Sequence, residues 1–336
     1  MEYKESPAFL NANVSQYGSH MIMTNVKKPT KTKIINMDTR FVDEYQMNTN
    51  VYPITLSDKI TNVKSMKIVS AEIPASYYNI SAALGNNYFM VTNNYEGVDL
   101  SLNKWHKQSA IITVPDGFYN NDNMSVLINS INDQLFNLSS LPTQSGYGNY
   151  PFEVIFDISA NAKTLIYMRD ETVDKYQYNF QIDFAVNTNG EFDKYNFKNK
   201  LGWLLGFRNT TYRINGYWTT GTSKSLMTSD VFANFNIQRY MYLTIDESTN
   251  GSQNSFLSSL PTSLINKNII ARITPNATFG DVIYANCGNG YLYSDCRQYT
   301  SKIDIQRLNI QLINEFGQSV NLNGLDFSFC MEIDYE

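Results

Sequence analysis

The chain closes on "IDIQRLNIQLINEFGQSVNLNGLDFSFCMEIDYE", Ile303 to Glu336. In its last part Leu325, Phe327, Phe329, Met331 and Ile333 alternate with Asp326, Ser328, Cys330, Glu332 and Asp334. A period of two sends the first set to one face of a strand and the second to the other. Such a strand needs a sheet on which to bury its apolar face and neighbours to pair its edges. Earlier in the stretch the parity changes, with Ile303 and Ile305 on one face and Leu308, Ile310 and Leu312 on the other. A bulge at Gln306-Arg307 is expected there, because one extra residue resets the face that later side chains take. "NEFGQSVNLNG" reads as a connection rather than a two-residue hairpin turn.

Upstream, from residue 34, the chain repeats this kind of pattern. "KIINMDTRF", "VYPITL", "VKSMKIVSAEIP", "NNYFMVTNN", "SAIITVP", "PFEVIFDIS", "KTLIYMRD", "YNFQIDFAV", "FNIQRYMYLTID", "NIIARI" and "DVIYANC" are runs bounded by Asn, Pro, Gly or Asp, as strands are. Tyr178, Phe180, Ile182 and Phe184 again alternate with polar residues. About a dozen short strands with turn signals between them point to a sandwich or barrel. One segment breaks the rule. In "NNDNMSVLINSINDQLFNL" Met124, Leu127, Ile128, Ile131 and Leu135 form one helical stripe. A helix over about residues 123–138 is expected, capped by Asp122 or Asn123, stopped before Pro142, and covering an open end of the sandwich.

Composition agrees with this class. Of 336 residues 43% are hydrophobic, 14% aromatic and only 17% charged, and about one residue in eight is Asn. Aromatic runs punctuated by Asn, Ser and Gly make a strand-and-loop chain. The net charge of −5 argues against nucleic acid as the main partner. The local exception is "VKKPTKTK", with Lys27, Lys28, Lys31 and Lys33; it reads either as a solvated arm or as an arm docked on an acidic neighbour, lipid or nucleic acid. Residues 1–33 lack strand or helix period and read as an extended N-terminal arm. Residues 34–336 read as one domain with insertions around 170–235 and 246–268, the second an outward-projecting loop. The hexapeptide Leu-Ser-Ser-Leu-Pro-Thr occurs at 138–143 and 257–262, but nothing around the copies aligns, so a duplication is not inferred.

Several function classes find no support. No apolar run reaches the length of about 18 residues that spans a membrane, and the first 30 residues lack the apolar core of a secretory signal. His20 and His106 stand apart, without His or Cys at ligand spacing. No metal site, cofactor fingerprint or catalytic motif is found, so no catalytic, metal-binding or cofactor-binding residue is assigned and the chain is not read as an enzyme. Cys287, Cys296 and Cys330 make no disulfide framework; Cys287 and Cys296 flank a turn, but a reducing compartment disfavours a bond. In "WLLGF", residues 203–207, Gly202 and Gly206 are expected to allow close backbone approach or positive φ while Trp203 and Phe207 fill space; the segment serves either as an interior strand or as a contact for assembly. Arg40, after Asp38 in "MDTRF", reads either as a buried bidentate partner of a carboxylate or as an exposed strand-end arginine.

Four segments taken in order carry a resemblance: "INMDTRFVDEY" running on through "YPITLSDKITNVKSMKIVSAEIPASYYNI", then "ITVPDGFYNNDNMSVLINSINDQL", then "NKLGWLLGFRN", and last "LNIQLINEFGQSVNLNGLDFSFCMEI". Together they cover most of residues 34–334 and are similar to the minor capsid, or penton, proteins of nucleocytoplasmic large DNA viruses and virophages. The resemblance implies an all-β single jelly-roll sandwich of about eight core strands with one capping helix. It further implies a virion protein, assembled in the infected host cell, that forms a homopentamer at the fivefold vertices of an icosahedral capsid and contacts trimers of a double jelly-roll major capsid protein and other minor capsid proteins. The long arm and the extra strands around 170–235 depart from the pattern. They keep open a related role as an internal minor capsid or cement protein linking capsomers or an inner membrane. A receptor- or glycan-binding module using loops 208–226 and 246–268 is the further alternative. Lys27, Lys28, Lys31, Lys33, Arg40, Trp203 and Phe207 are the candidate assembly residues.

Overall fold

The structure is a computed structural model. It describes residues 13–17, 21–25, 29–42, 51–96, 105–139, 154–168, 177–193, 197–217, 226–236, 238–247, 258–259, 264–265 and 268–336. In chain order the first strands are β1 (Asn13–Tyr17), β2 (Met21–Asn25), β3 (Lys31–Asp38) and β4 (Val51–Pro74). They are followed by β5 (Tyr88–Glu96), β6 (Trp105–Thr113), the helix α1 (Met124–Ser139), β7 (Val154–Ile158), β8 (Thr164–Met168) and β9 (Gln177–Asp183). Next come the single turn α2 (Leu201–Leu204), β10 (Thr211–Tyr217), β11 (Leu226–Thr228), β12 (Met241–Asp246), β13 (Ser258–Ser259), β14 (Leu264–Ile265) and β15 (Ile269–Ile273). The last are β16 (Val282–Asn286), β17 (Leu292–Ser294), β18 (Arg297–Asn314) and β19 (Ser328–Tyr335). The fold is all-β, built of curled antiparallel sheets of the jelly-roll sandwich type with, among the described residues, one helix longer than a single turn.

The strands divide into two compact units, residues 1–75 with 240–336, and residues 76–239. The first unit is organised by β4 and β18. Its sheet runs β17-β15-β12-β18-β4-β19-β3, and β16 also pairs with β4. The sequence suggested two strands within 51–74, but they are one, 24 residues long. Asn62 takes φ +56° and the register with β18 shifts around it, so the strand bends without ending; Asn tolerates this conformation better than most residues. The terminal strand lies where its alternation requires. β19 pairs with β3 on one side and β4 on the other, and Phe329, Met331 and Ile333 are fully buried. Leu325 is the exception, half exposed in the turn that precedes β19. On β18 the register shifts between Ile305 and Arg307. Ile303, Ile305, Leu308, Ile310 and Leu312 are accordingly all buried despite their change of parity. Within the segment read as an extended arm, β1 and β2 pair as a hairpin and Lys31 opens β3.

The second unit is a sandwich. One sheet runs β10-β9-β5-β6 and the other β11-β8-β7, and Phe89, Val91, Phe180 and Ile182 of the first share a core with Val154, Phe156 and Ile166 of the second. α1 lays Met124, Leu127, Ile128, Ile131 and Leu135 into that core. It also closes one side of the sandwich by standing in for a missing strand. The Asn132 amide exchanges two 2.8 Å hydrogen bonds with the backbone N–H and C=O of Phe156 on the edge strand β7. Gln134 does the same for Thr113 on the edge strand β6. The expected Asn123 cap differs. Its side chain accepts from Asn120 N and donates to Phe118 O, which ties down the preceding loop instead of a helix N–H.

Candidate functional site

Of the candidate assembly residues, Lys31, Lys33 and Arg40 fall on one strand and the turn after it. Lys31 and Lys33 are exposed on β3, the end strand of its sheet. Lys27 and Lys28 lie outside the described residues. Arg40 is exposed rather than buried, and from there its Nε and Nη2 grip both oxygens of the Asp38 carboxylate. Asp38 also accepts from Arg40 N, which fixes the 3-10 turn Thr39–Phe41. The Arg40 hydrogen bonds hold the Asp38 carboxyl below its ordinary range. The turn leaves the Phe41 ring 79% exposed.

Trp203 and Phe207 belong to the second unit, at a corner built around α2. Phe207 is fully buried, stacked on Phe184 at 4.9 Å and edge-on to Tyr212 at 4.8 Å. The glycines explain why so tight a corner forms. A Cβ on Gly202 would sit 2.2 Å from the Phe184 ring, and one on Gly206, at φ +96°, 2.2 Å from the Val231 carbonyl oxygen. Trp203 is half-buried beneath the Arg208 guanidinium, 3.9 Å from its ring centre, and Phe197 meets it edge-on. Arg208 Nη1 donates to Trp203 O at 2.9 Å. Tyr212 Oη accepts from the N–H groups of Arg208 and Asn209 and donates to Asp230. That donation holds the Asp230 carboxyl below its usual range, and burial raises the Tyr212 phenol.

Sequence reasoning missed three buried charges, an ion pair and a lysine. Arg297 and Glu247 are 1% and 2% exposed and pair at 2.7 Å. Arg297 also donates to the carbonyls of Ile245 at 2.8 Å and Asn268 at 2.7 Å, and Tyr299 donates to Glu247. These partners are the two stems of the segment 248–267, so one guanidinium clamps both. Burial pushes the Tyr299 phenol far up, and the nearby Glu247 carboxylate adds to it. The signal lay in parity. Arg297 and Tyr299 share the face of Ile303 and Ile305, and a charge on a core face requires a buried partner. Part of the expected projection folds back, since Ile265 on β14 is buried against Tyr242, Ile269 and Ile313. The other missed charge is Lys200, 5% exposed. Its Nζ donates to Gly85 O and Val186 O at 3.3 and 3.1 Å and pairs with Asp193 at 3.2 Å, tying the approach to the corner.

Cys287, Cys296 and Cys330 are free thiols. His106 sits on β6 opposite Tyr95, and His20 lies outside the described residues. Among the described residues no three His, Cys, Asp or Glu side chains gather as metal ligands, and no helix is long and apolar enough to cross a membrane. These segments build an exposed end strand, a corner packed on buried aromatics and a buried clamp at a loop base.

No protein-family model matches the chain, and no curated protein matches it. Among solved structures it is similar to the crystal structure of selenomethionine-labelled mavirus penton protein, with 9% identity and a TM-score of 0.44 over 92% of this chain and all of that one.

Proposed function

We infer that the protein is a structural component of a virion, a jelly-roll penton that forms a homopentamer at the fivefold vertices of an icosahedral capsid. It would act through surface complementarity, with no catalytic step, and its outer partners would be the double jelly-roll major capsid protein and other minor capsid proteins. The observation that supports this reading most is where the four segments of capsid resemblance fall. The first and last supply β3, β4, β18 and β19, four adjacent strands of one sheet. The second and third supply α1 and the Gly202–Phe207 corner, which share the core of the sandwich. The resemblance therefore falls on the strands and core that hold each unit together.

Native mass spectrometry of the full-length protein tests the stoichiometry, with five subunits expected. A particle map tests the position. Density for this chain away from the fivefold axes would sink the penton role and leave the internal minor capsid role in its place.

A further inference from the structure

We propose that the free edge of β3 is the strand on which a second copy of this chain docks, through an extended segment that carries carboxylates, and that copies join head to tail. The inference rests on the homo-oligomeric reading above and names its contact surface.

The edge is regular and, among the described residues, unpaired. β3 pairs with β19 over all eight residues, Lys31 to Asp38, without a register shift, and among the described residues no strand pairs with its other side. It contains no proline, glycine or bulge, so it presents a regular row of backbone donors and acceptors, a template for another strand. Two apolar side chains stand beside it: Ile34 is 68% exposed and Phe41 79%.

Charge selects the occupant. Lys31 and Lys33 are exposed and in no ion pair among the described residues, whereas Lys59, Lys64, Lys67 and Lys302 each pair with a carboxylate. With Lys27 and Lys28 they form a run of four positive charges in a chain whose net charge is −5, so the remaining surface is more negative than that total. A second copy therefore supplies the complementary charge. The pentameric reading above requires a contact between two different patches, so β3 meets another segment of the neighbouring copy rather than its own equivalent. Lysines on an edge also deter indiscriminate pairing, so they admit a carboxylate-bearing strand and reject others. A contact of one patch with a different patch is heterologous and closes into a ring when the rotation allows. Nucleic acid or anionic lipid would use the lysines but leave the strand edge and Ile34 without a role.

The test uses the full-length protein mixed from unlabelled and 15N-labelled preparations and treated with a carbodiimide, which joins amines to carboxylates in contact. Mixed-isotope cross-links from Lys31 or Lys33 are expected. The double variant K31E/K33E should lose the oligomer at a concentration where the unaltered protein is fully assembled, while each subunit keeps its near-UV circular dichroism and a cooperative melt because both side chains are exposed. An oligomer that persists in the variant, without mixed-isotope cross-links from these lysines, overturns the docking edge and leaves the capsid reading standing. A monomeric unaltered protein overturns both. Loss of binding to an oligonucleotide or to phosphatidylserine vesicles in the variant, with the oligomer intact, would assign the lysines to a polyanion instead.

Discussion

A buried arginine and two glycines show how much single residues decide here. Arg297 gathers the Glu247 carboxylate and two carbonyls where no water can replace it. Removing it leaves an uncompensated buried charge, so R297M is expected to cost about 3–5 kcal/mol in urea denaturation. The double variant R297M/E247Q should recover part of that loss, because the stranded charge is gone; no recovery would mean that the ion pair is not what holds the loop stems. At the corner, G202A forces a methyl group against the Phe184 ring and is expected to cost about 1–3 kcal/mol or more. G288A is the control. In its exposed turn only the Asn286 side chain lies near, and a change within about 0.5 kcal/mol is expected. Asparagine was legible in the sequence only as punctuation between strands. Asn79 and Asn132 in fact spend their amides on backbone groups, which spacing alone does not reveal because their partners are distant in the chain.

At the scale of elements, α1 behaves partly as a strand. N132A removes both bonds to Phe156, leaving a buried N–H and C=O without partners, and is expected to cost about 1–3 kcal/mol and to speed exchange of the Phe156 amide. Q134A should cost less, since Thr113 is exposed and water can take over. Equal effects would argue that the helix is held by its apolar stripe alone. For the terminal strand, truncation after Gly324 removes β19 from between β3 and β4. Both neighbours then lose a full ladder, and the unit built on β4 is expected not to fold; near-UV circular dichroism and a cooperative melt like that of the intact chain would contradict this. The strand, the helix and the bulge before Leu308 were legible because each follows from local periodicity. The continuity of β4 through Asn62 was not, because a residue with positive φ ordinarily signals a turn and only the partners on both sides keep this strand extended.

For the whole molecule, the pH range of stability follows from the shifted groups. Asp38, Asp230, Asp304 and Glu336 are all held low, by hydrogen bonds from Arg40, Tyr212, Lys59 and Lys64 respectively. Groups with lowered folded values stabilise above their unfolded range near pH 4 and lose that contribution as pH falls through it. Burial raises Tyr119, Tyr212, Tyr240 and Tyr299. Their contribution is complete below the unfolded phenol value near pH 10 and is lost as pH rises beyond it. The melting temperature is therefore expected to be level between about pH 5 and 9 and to fall on both sides. Added salt should soften the acid limb, where the pairs are exposed, but not the alkaline one. Phenolate absorbance rising smoothly near pH 10, with no accompanying unfolding, would contradict the alkaline limb. By itself the sequence determined the all-β class, the one long helix and the burial of the last strand, since a period of two or 3.6 is written in neighbouring residues. Tertiary structure alone decided which strands adjoin β19, which carboxylate answers Arg297, and that Phe207 is buried while Lys31 and Lys33 lie exposed on the end strand of the described sheet. Those facts depend on contacts between residues far apart in the chain, and local pattern carries no record of them.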